Sequence, residues 1–543
     1  MEKTTAYTFA ELLPERIKQY EKNDALGFAG EKAISYAEMG DKIYAIIAFL
    51  EKLNIKEGDK VAIFGQNMPN WGISYFALQF MGVVAVPLLP DFTSNELQNI
   101  FRHSNTKAIF VSESLTYKLE DINCSNVEVF IRMENMEILP QSKISAVYEE
   151  KARPQKVYTP DENALAILLY TSGTTGESKG VMLSQKNVLI NAVQAANVQN
   201  IKPHHRFLSI LPLSHTYENT LGLILPILYG ASVAYLKKPP TPPILLEAMA
   251  IVKPHLMLTV PMIIEKVYKN KVLPTIKKKL ITNILYRFRP TQILLHRIAG
   301  KKLYKNFGGN LIFFGIGGAK LNAKVERFLR DAKFPYAIGY GLTETSPLIA
   351  GSNADHTKFQ AIGPKVKYAE IKIHNPKART GEGEIWAKGP NIMLGYYKDE
   401  QKTKEVLTED GWFKTGDLGV LDKNQVLTHK GRLKNVIIGA NGENIYPEEI
   451  EALINNYGHV LESLVIEKKG KLLALVRFNV EGLEEKYADL KHDIEEKILE
   501  LSNDLQHYLN QKLNKISRVQ SIIIQKDPFK RTATQKIKRY LYI

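Results

Sequence analysis

Between Leu168 and Ser184 the chain reads LLYTSGTTGESKGVMLS, an apolar run that opens into small hydroxyls and glycines. Thr171, Ser172, Thr174 and Thr175 supply hydroxyl donors, while Gly173 and Gly176 let backbone N–H groups come close to an anion. Lys179 adds a positive charge. This set suits phosphate oxygens, but its spacing is not that of a P-loop. Ser178 stands where the P-loop needs its second glycine, and Gly180 follows the lysine in place of Ser or Thr.

Further chemistry-bearing stretches follow in order. LPLSHTYENTLG carries His215 and Glu218, and FFGIGGAKL carries a turn of Gly317, Gly318 and Ala319. IGYGLTETSP offers Tyr340, Gly341, Thr343 and Glu344, and WFKTGDLG carries Asp417. KGRLKNVIIGANGENIYPEEIE holds Arg432, Lys434, Gly439, Gly442 and Glu443. Lys536 lies in the closing PFKRTATQKIKRYLYI.

The elements around these stretches predict an α/β protein. KVAIFG, KAIFVS, ALAILLYTS and LIFFGIGG are short apolar runs that read as buried strands beside helical patterns, as in parallel α/β layers. FPYAIGYGLTETS ends another strand in a polar loop, where open α/β sheets place ligands. From about Ala369 the texture turns to short strands and glycine turns, a β-rich subdomain. Beyond Arg432 an α+β module is expected, with YPEEIEALINNY as a helix and LLALVRF and VQSIIIQ as strands. Two domains are therefore predicted, 1–431 and 432–543. A chain of 543 residues is too long for one core.

Composition narrows the class. The hydrophobic share is 45% and the charged share 24%, ordinary for a soluble globular protein. Cys124 is the single cysteine, which excludes an intramolecular disulfide and a multi-cysteine zinc site. The N-terminal stretch scatters acids and has no apolar core of signal-peptide length, so a cytoplasmic protein is expected. LGLILPILYGASVAYL is interrupted by Pro226 and Gly230 and reads as a buried helix, turn and strand rather than a membrane span.

The formal charge of +15 attracts polyanions. Nucleic acid is the weakest of these, because no recognition helix, zinc finger or aromatic stacking signature accompanies the charge. Twelve Lys and Arg residues and no Asp or Glu fall between Lys266 and Lys305. Ile276, Leu280, Ile284 and Phe288 recur there at helical spacing between Pro274 and Pro290. Two readings stand: a solvated helix covering the core, or a patch for an anionic membrane surface or an acidic partner.

Taken together, the ordered motifs resemble the adenylate-forming superfamily of acyl-CoA synthetases, firefly-type luciferases and peptide adenylation domains. The resemblance spans nearly the whole chain, including GDKVAIFGQNMPNWGISYFALQFMGVVAVPL. It implies a large N-terminal domain, with two parallel α/β layers and the β-rich subdomain, and a small mobile C-terminal domain. It also implies activation of a carboxylate by ATP and Mg²⁺ to an acyl-adenylate, with pyrophosphate leaving and the acyl group then passing to a thiol. By the same resemblance Glu344 and Thr171 are metal ligands, Tyr340 and Thr343 contact adenine and phosphate, and Asp417 accepts both ribose hydroxyls. Arg432 lies near the ribose, Lys434 is the hinge, and the loop with Gly439, Gly442 and Glu443 approaches the pantetheine thiol. Lys536 is the mobile catalytic lysine, and His215 sits beside the carboxylate pocket.

The form L-P-L-x-H-x-x-E and the stretch VPMIIEKVY point to the long-chain fatty acyl branch, which implies a fatty acid substrate and coenzyme A as acceptor. An acidic acyl carrier protein as acceptor, and aryl or amino acids as substrates, stay open. Three positions depart from the family pattern: Ser178 replaces a proline, Met262 an arginine, and Gln535 the glycine before Lys536.

Overall fold

The computed structural model describes residues 7–120, 122–123, 125–172, 178–438, 444–468, 470–480, 483–484, 494–514, 517–532 and 537–543. Among the expected site residues, Gly173, Thr174, Thr175, Gly176, Gly439, Gly442, Glu443 and Lys536 lie outside the described residues, as does Cys124.

Past Lys60 at the first strand's edge, the runs KVAIF, VAVPL and AIFV are apolar because they are covered on both faces, as in parallel sheets. They form the centre of a seven-stranded sheet, in which Lys60–Phe64 pairs in parallel with Val84–Leu88 and Ala108–Val111. Leu165–Ser172 joins this sheet in parallel, then turns back as Ser178–Ser184 in an antiparallel hairpin. A second sheet has eight strands. Its strands Asp24–Phe28, Ser232–Tyr235, Arg206–Ser209, Leu256–Thr259, Phe313–Ile316 and Tyr336–Gly341 run parallel, with antiparallel strands at both edges.

Alternation along each strand sorts side chains between layers. Val61 and Ile63 join a core shared with Leu26, Val233 and Leu258 of the second sheet, whereas Ala62 and Phe64 pack on the opposite face. Helices Tyr36–Lys52, Pro69–Phe80 and Gln185–Val198 contribute to the shared core, where Trp71, Tyr36 and Tyr75 are fully buried. Their starts are legible in the sequence. Ser35 and Ser184 both close capping boxes, which satisfy orphan N–H groups in the first turn.

From Glu370 the chain forms an antiparallel four-stranded sheet of Glu370–His374, Gly383–Lys388, Phe413–Leu421 and Leu427–Arg432. A third module pairs Lys471–Phe478 with Val460–Lys468 in antiparallel and with Ser521–Ile524 in parallel. Helices Pro447–Asn455 and Ile494–Lys512 cover it with a hydrophobic cluster of its own. The buried reading of LGLILPILYGASVAYL also holds: Leu223, Ile224, Ile227 and Leu228 are at most 2% exposed. Among the described residues no helix is long and apolar enough to cross a membrane.

One expectation needs correction. The stretch between Pro274 and Pro290 is not a single helix over the core. It divides into Leu273–Lys277, Leu280–Leu285 and the start of Arg289–Asn306. Pro290 sits in the first turn of its helix, where its missing N–H costs nothing, whereas Pro274 follows the π-helical turn Tyr268–Val272 within a helical run that begins at Pro261. Lys277, Lys278 and Lys279 would repel one another in a continuous turn, and the backbone at Lys279 is extended. Ile276 is buried, but Leu280, Ile284 and Phe288 are exposed.

Candidate active site

The hairpin of the seven-stranded sheet brings Thr171 opposite Lys179 in register. The short strand Gly395–Tyr396 adds to the outer edge of this hairpin, with Tyr396 opposite Val181. Tyr396 then links two expected site residues. Lys179 Nζ lies 5.0 Å from the centre of its ring, and its hydroxyl donates to Glu344 Oε1 at 2.9 Å. Burial, and then the neighbouring Glu344, push the Tyr396 hydroxyl well above its ordinary pKa, so it remains a donor at neutral pH. The Glu344 carbonyl accepts from Met393 N at 2.9 Å, which ties the short Thr343–Thr345 turn to the same segment. Thr171, Lys179, Thr343 and Glu344 are all half-buried.

The preceding Tyr336–Gly341 strand leaves no room for a side chain at Gly341. A Cβ there would lie 1.7 Å from the Pro347 carbonyl oxygen. This close backbone approach makes glycine necessary at the point where the strand turns into the Glu344 segment.

A second group forms around Asp417, which faces Arg432 across neighbouring strands. Tyr340 donates its hydroxyl to Asp417 Oδ2 at 2.7 Å. Arg432 Nε stands 2.9 Å from Oδ1, and His429 Nε2 stands 3.6 Å from it. Asp417 is 1% exposed, and its Oδ1 has no aligned hydrogen-bond donor. Burial alone would raise the carboxyl pKa, but His429, Arg432 and Tyr340 outweigh it and hold the group ionised below the usual range. Lys434 follows in the exposed turn Leu433–Asn435, two residues beyond Arg432.

His215 caps the short helix Thr216–Glu218, its Nδ1 accepting from Tyr217 N at 3.2 Å. Tyr217 continues to the glycine turn: a Cβ at Gly317 would lie 3.0 Å from the tyrosine ring. Gly318 has φ +83°, a left-handed conformation open to glycine, and both it and Ala319 are exposed. Thus His215 and the Gly317 turn are neighbours through Tyr217.

Glu218 differs from the other carboxylates. It is 1% exposed, and its Oε2 has no hydrogen-bond partner. Its Oε1 packs where a Gly222 side chain would begin, 2.5 Å from that Cβ position. Burial pushes the carboxyl up to about 8, against a weaker opposing hydrogen bond from Ser209. A neutral acid in the native state loses its advantage as pH rises, because the unfolded carboxyl ionises first. Glu218 is therefore expected to make unfolding easier as pH climbs from the ordinary carboxyl range to about 8. Glu218→Gln should remove that component. Urea midpoints at pH 5 and pH 8 check this, with the variant gaining on the wild type at the higher pH. Equal pH slopes would show Glu218 to be ionised in the fold.

Sequence reasoning missed Tyr396, His429 and Tyr217 as site residues. The two tyrosines of NIMLGYYKDE follow Gly395, but only the pairing with a distant strand reveals what Tyr396 touches.

The described parts of the site are thus a hairpin with Thr171 and Lys179 on one sheet, linked through Tyr396 to Glu344, and a buried Asp417 on the antiparallel sheet. The chain belongs to the AMP-binding enzyme family, whose model matches residues 13–397. It is 29% identical over 462 residues to a peroxisomal long chain acyl-CoA synthetase 6 of Arabidopsis thaliana, covering 77% of this chain and 64% of that protein. It is 27% identical over 482 residues to the long-chain-fatty-acid–CoA ligase FadD15 of Mycobacterium tuberculosis, covering 83% of this chain and 78% of that one. Among solved structures it is similar to ATP-bound MatB from Rhodopseudomonas palustris, with a TM-score of 0.77 at 23% identity over 98% of both chains. The O-succinylbenzoate coenzyme A synthetase of Bacillus subtilis in complex with AMP gives a TM-score of 0.75 at 23% identity, over 98% of this chain and 97% of that chain.

Proposed function

We propose that the protein is an AMP-forming ligase that joins a medium- or long-chain fatty acid to coenzyme A. The observation that carries this reading is the link from Lys179 through Tyr396 to Glu344, which joins the lysine of the phosphate-type motif to a carboxylate. The names of the relatives support the fatty acid and the acceptor.

In the first half-reaction a substrate carboxylate oxygen attacks the α-phosphorus of ATP, and the bond to pyrophosphate breaks. Catalysis is then chiefly positioning and charge stabilisation. Lys179 and the hydroxyls from Thr171 to Thr175 hold the β- and γ-phosphates. Asp417 accepts the ribose hydroxyls; its buried Oδ1, without an aligned donor, fits that need. Arg432 stays near the ribose, and Tyr340 and Thr343 contact the adenine and the phosphate. The Gly317, Gly318 and Ala319 turn and Gly341 line the nucleotide site with backbone. Glu344, assisted by Thr171, would hold Mg²⁺; one carboxylate with substrate phosphates is the usual donor set for this ion. The ion, when bound, neutralises charge on the phosphate oxygens. His215 orients the substrate carboxylate, and Lys536 neutralises charge between it and the α-phosphate.

In the second half-reaction the thiol sulfur attacks the acyl carbon, and AMP leaves. Residues 432–543 are read as a mobile domain turning at Lys434, which brings the loop of Gly439, Gly442 and Glu443 to the thiol. ATP-dependent AMP formation, measured with fatty, aryl and amino acids and with either coenzyme A or a holo carrier protein, tests the reading. Turnover is expected with fatty acids of at least eight or so carbons plus coenzyme A. Saturation with carrier protein and none with coenzyme A would replace the acceptor, and no AMP with any fatty acid would overturn the substrate class.

A further inference from the structure

The short helix Leu280–Leu285 is turned inside out. Leu280, Ile281, Ile284 and Leu285 are 76%, 71%, 48% and 36% exposed, and no residue of the helix is buried. The polar Thr282 and Asn283 between them are the less exposed pair. Positions i, i+1, i+4 and i+5 share one helical face, so the apolar stripe points outward as a unit. Phe288, 62% exposed, extends it. Leu294 and Ile298, one turn apart on the next helix, are 58% and 59% exposed.

This orientation is held from below. Tyr286 shares hydrogen bonds with Tyr268 Oη at 2.9 Å and His296 Nε2 at 3.0 Å. His296 Nδ1 lies 2.7 Å from Asp331 Oδ2, and Arg289 grips both oxygens of the same carboxylate at 2.7 Å. Rotating the stripe inward would turn Thr282 and Asn283 out to solvent and break this network.

Charge selects what the stripe meets. Lys277, Lys278 and Lys279 precede the helix, and Arg287, Arg297 and Lys301 follow; among the described residues none of these six makes an ion pair. With no acid between Lys266 and Lys305, the rim is of one sign. Large aliphatic side chains on a convex face, edged by long cationic ones, have the composition of a helix lying in a lipid interface. An acidic protein would satisfy the rim but leave the stripe's aliphatic face in water.

We propose that the face formed by Leu280–Leu285, Phe288 and the exposed turn at Leu294 and Ile298 docks on an anionic lipid surface, with the aliphatic side chains entering the headgroup boundary and the basic rim over the phosphates. The helix is too short to span a bilayer, so the contact is peripheral and reversible.

Sedimentation of the full chain with vesicles tests this without substrates, so its outcome is separate from that of the ligase assay. The wild type should pellet with phosphatidylcholine vesicles containing about one-third phosphatidylglycerol, and much less with phosphatidylcholine alone. Half-molar salt should weaken binding strongly, since it shrinks the screening length to a few ångströms. Lys278→Glu with Lys279→Glu should lower the partition constant about tenfold or more. Leu280→Glu with Ile284→Glu should do likewise, and both pairs replace exposed side chains that the fold does not need. No binding to the anionic vesicles, or equal binding by both variants and the wild type, overturns the proposal. So does a dimer in light scattering that Leu280→Glu with Ile284→Glu dissociates, which would make this face a contact between copies of the chain.

Discussion

Glu344→Gln should lower the rate of AMP formation by roughly 10²–10³-fold while leaving the fold intact. The side chain is half-buried, and its Oε1 accepts from the Tyr396 hydroxyl at 2.9 Å. A glutamine Oε1 can accept the same bond with the same shape, so packing and the link to the hairpin survive. What disappears is one negative charge at the place where Mg²⁺ would bind. The loss should therefore appear in a Mg²⁺ titration, with saturation moved to higher concentration, and not in the thermal midpoint. A slower enzyme with an unchanged Mg²⁺ requirement would remove Glu344 from the ligand role. Loss of folded protein would reassign it to structure.

Lys536→Ala should cost a similar factor, roughly 10²–10³, but in one half-reaction only. A preorganised positive charge between carboxylate and α-phosphate matters while charge builds up there, which is during adenylation. Thioester formation from supplied acyl-adenylate has already passed that point and should keep most of its rate. Single-turnover measurements of both steps separate the cases. Equal damage to both would mean that the residue serves the C-terminal module as a whole. Lys536 lies outside the described residues, and this expectation comes from its place in TQKIKR and the superfamily resemblance.

The two halves of the site were unequally legible. The strands that lead to Thr171, Gly317 and Tyr340 could be read directly, because a buried strand is apolar over most of its length and gives way where polar or glycine residues begin. Asp417 and Arg432 could be named from their motifs, but not their pairing: that follows from a strand register with Asp417 opposite Arg432. Tyr396 was invisible for the same reason on a larger scale. Its strand has two residues, too few for periodicity, and its partners Lys179 and Glu344 come from a strand of one sheet and a short turn that follows a strand of the other. Glu218 was noticed as part of L-P-L-x-H-x-x-E, yet only its surroundings reveal a carboxyl pushed up to about 8 by burial.

The basic segment marks the boundary most clearly. Spacing alone placed Ile276, Leu280, Ile284 and Phe288 on a common helical face, and composition alone made their neighbours cationic. Period is a property of the chain, so the sequence by itself determined the α/β class, the order of the site motifs and the helical spacing of Leu280 and Ile284. Which way a stripe faces is a property of what packs beneath it. The helix breaks at Lys279, and the network of Tyr268, Tyr286, His296, Asp331 and Arg289 then holds the polar side inward. Tertiary structure decided the direction of the stripe, as it decided the meeting of Lys179, Tyr396 and Glu344. Both depend on contacts between distant segments, which no local pattern encodes.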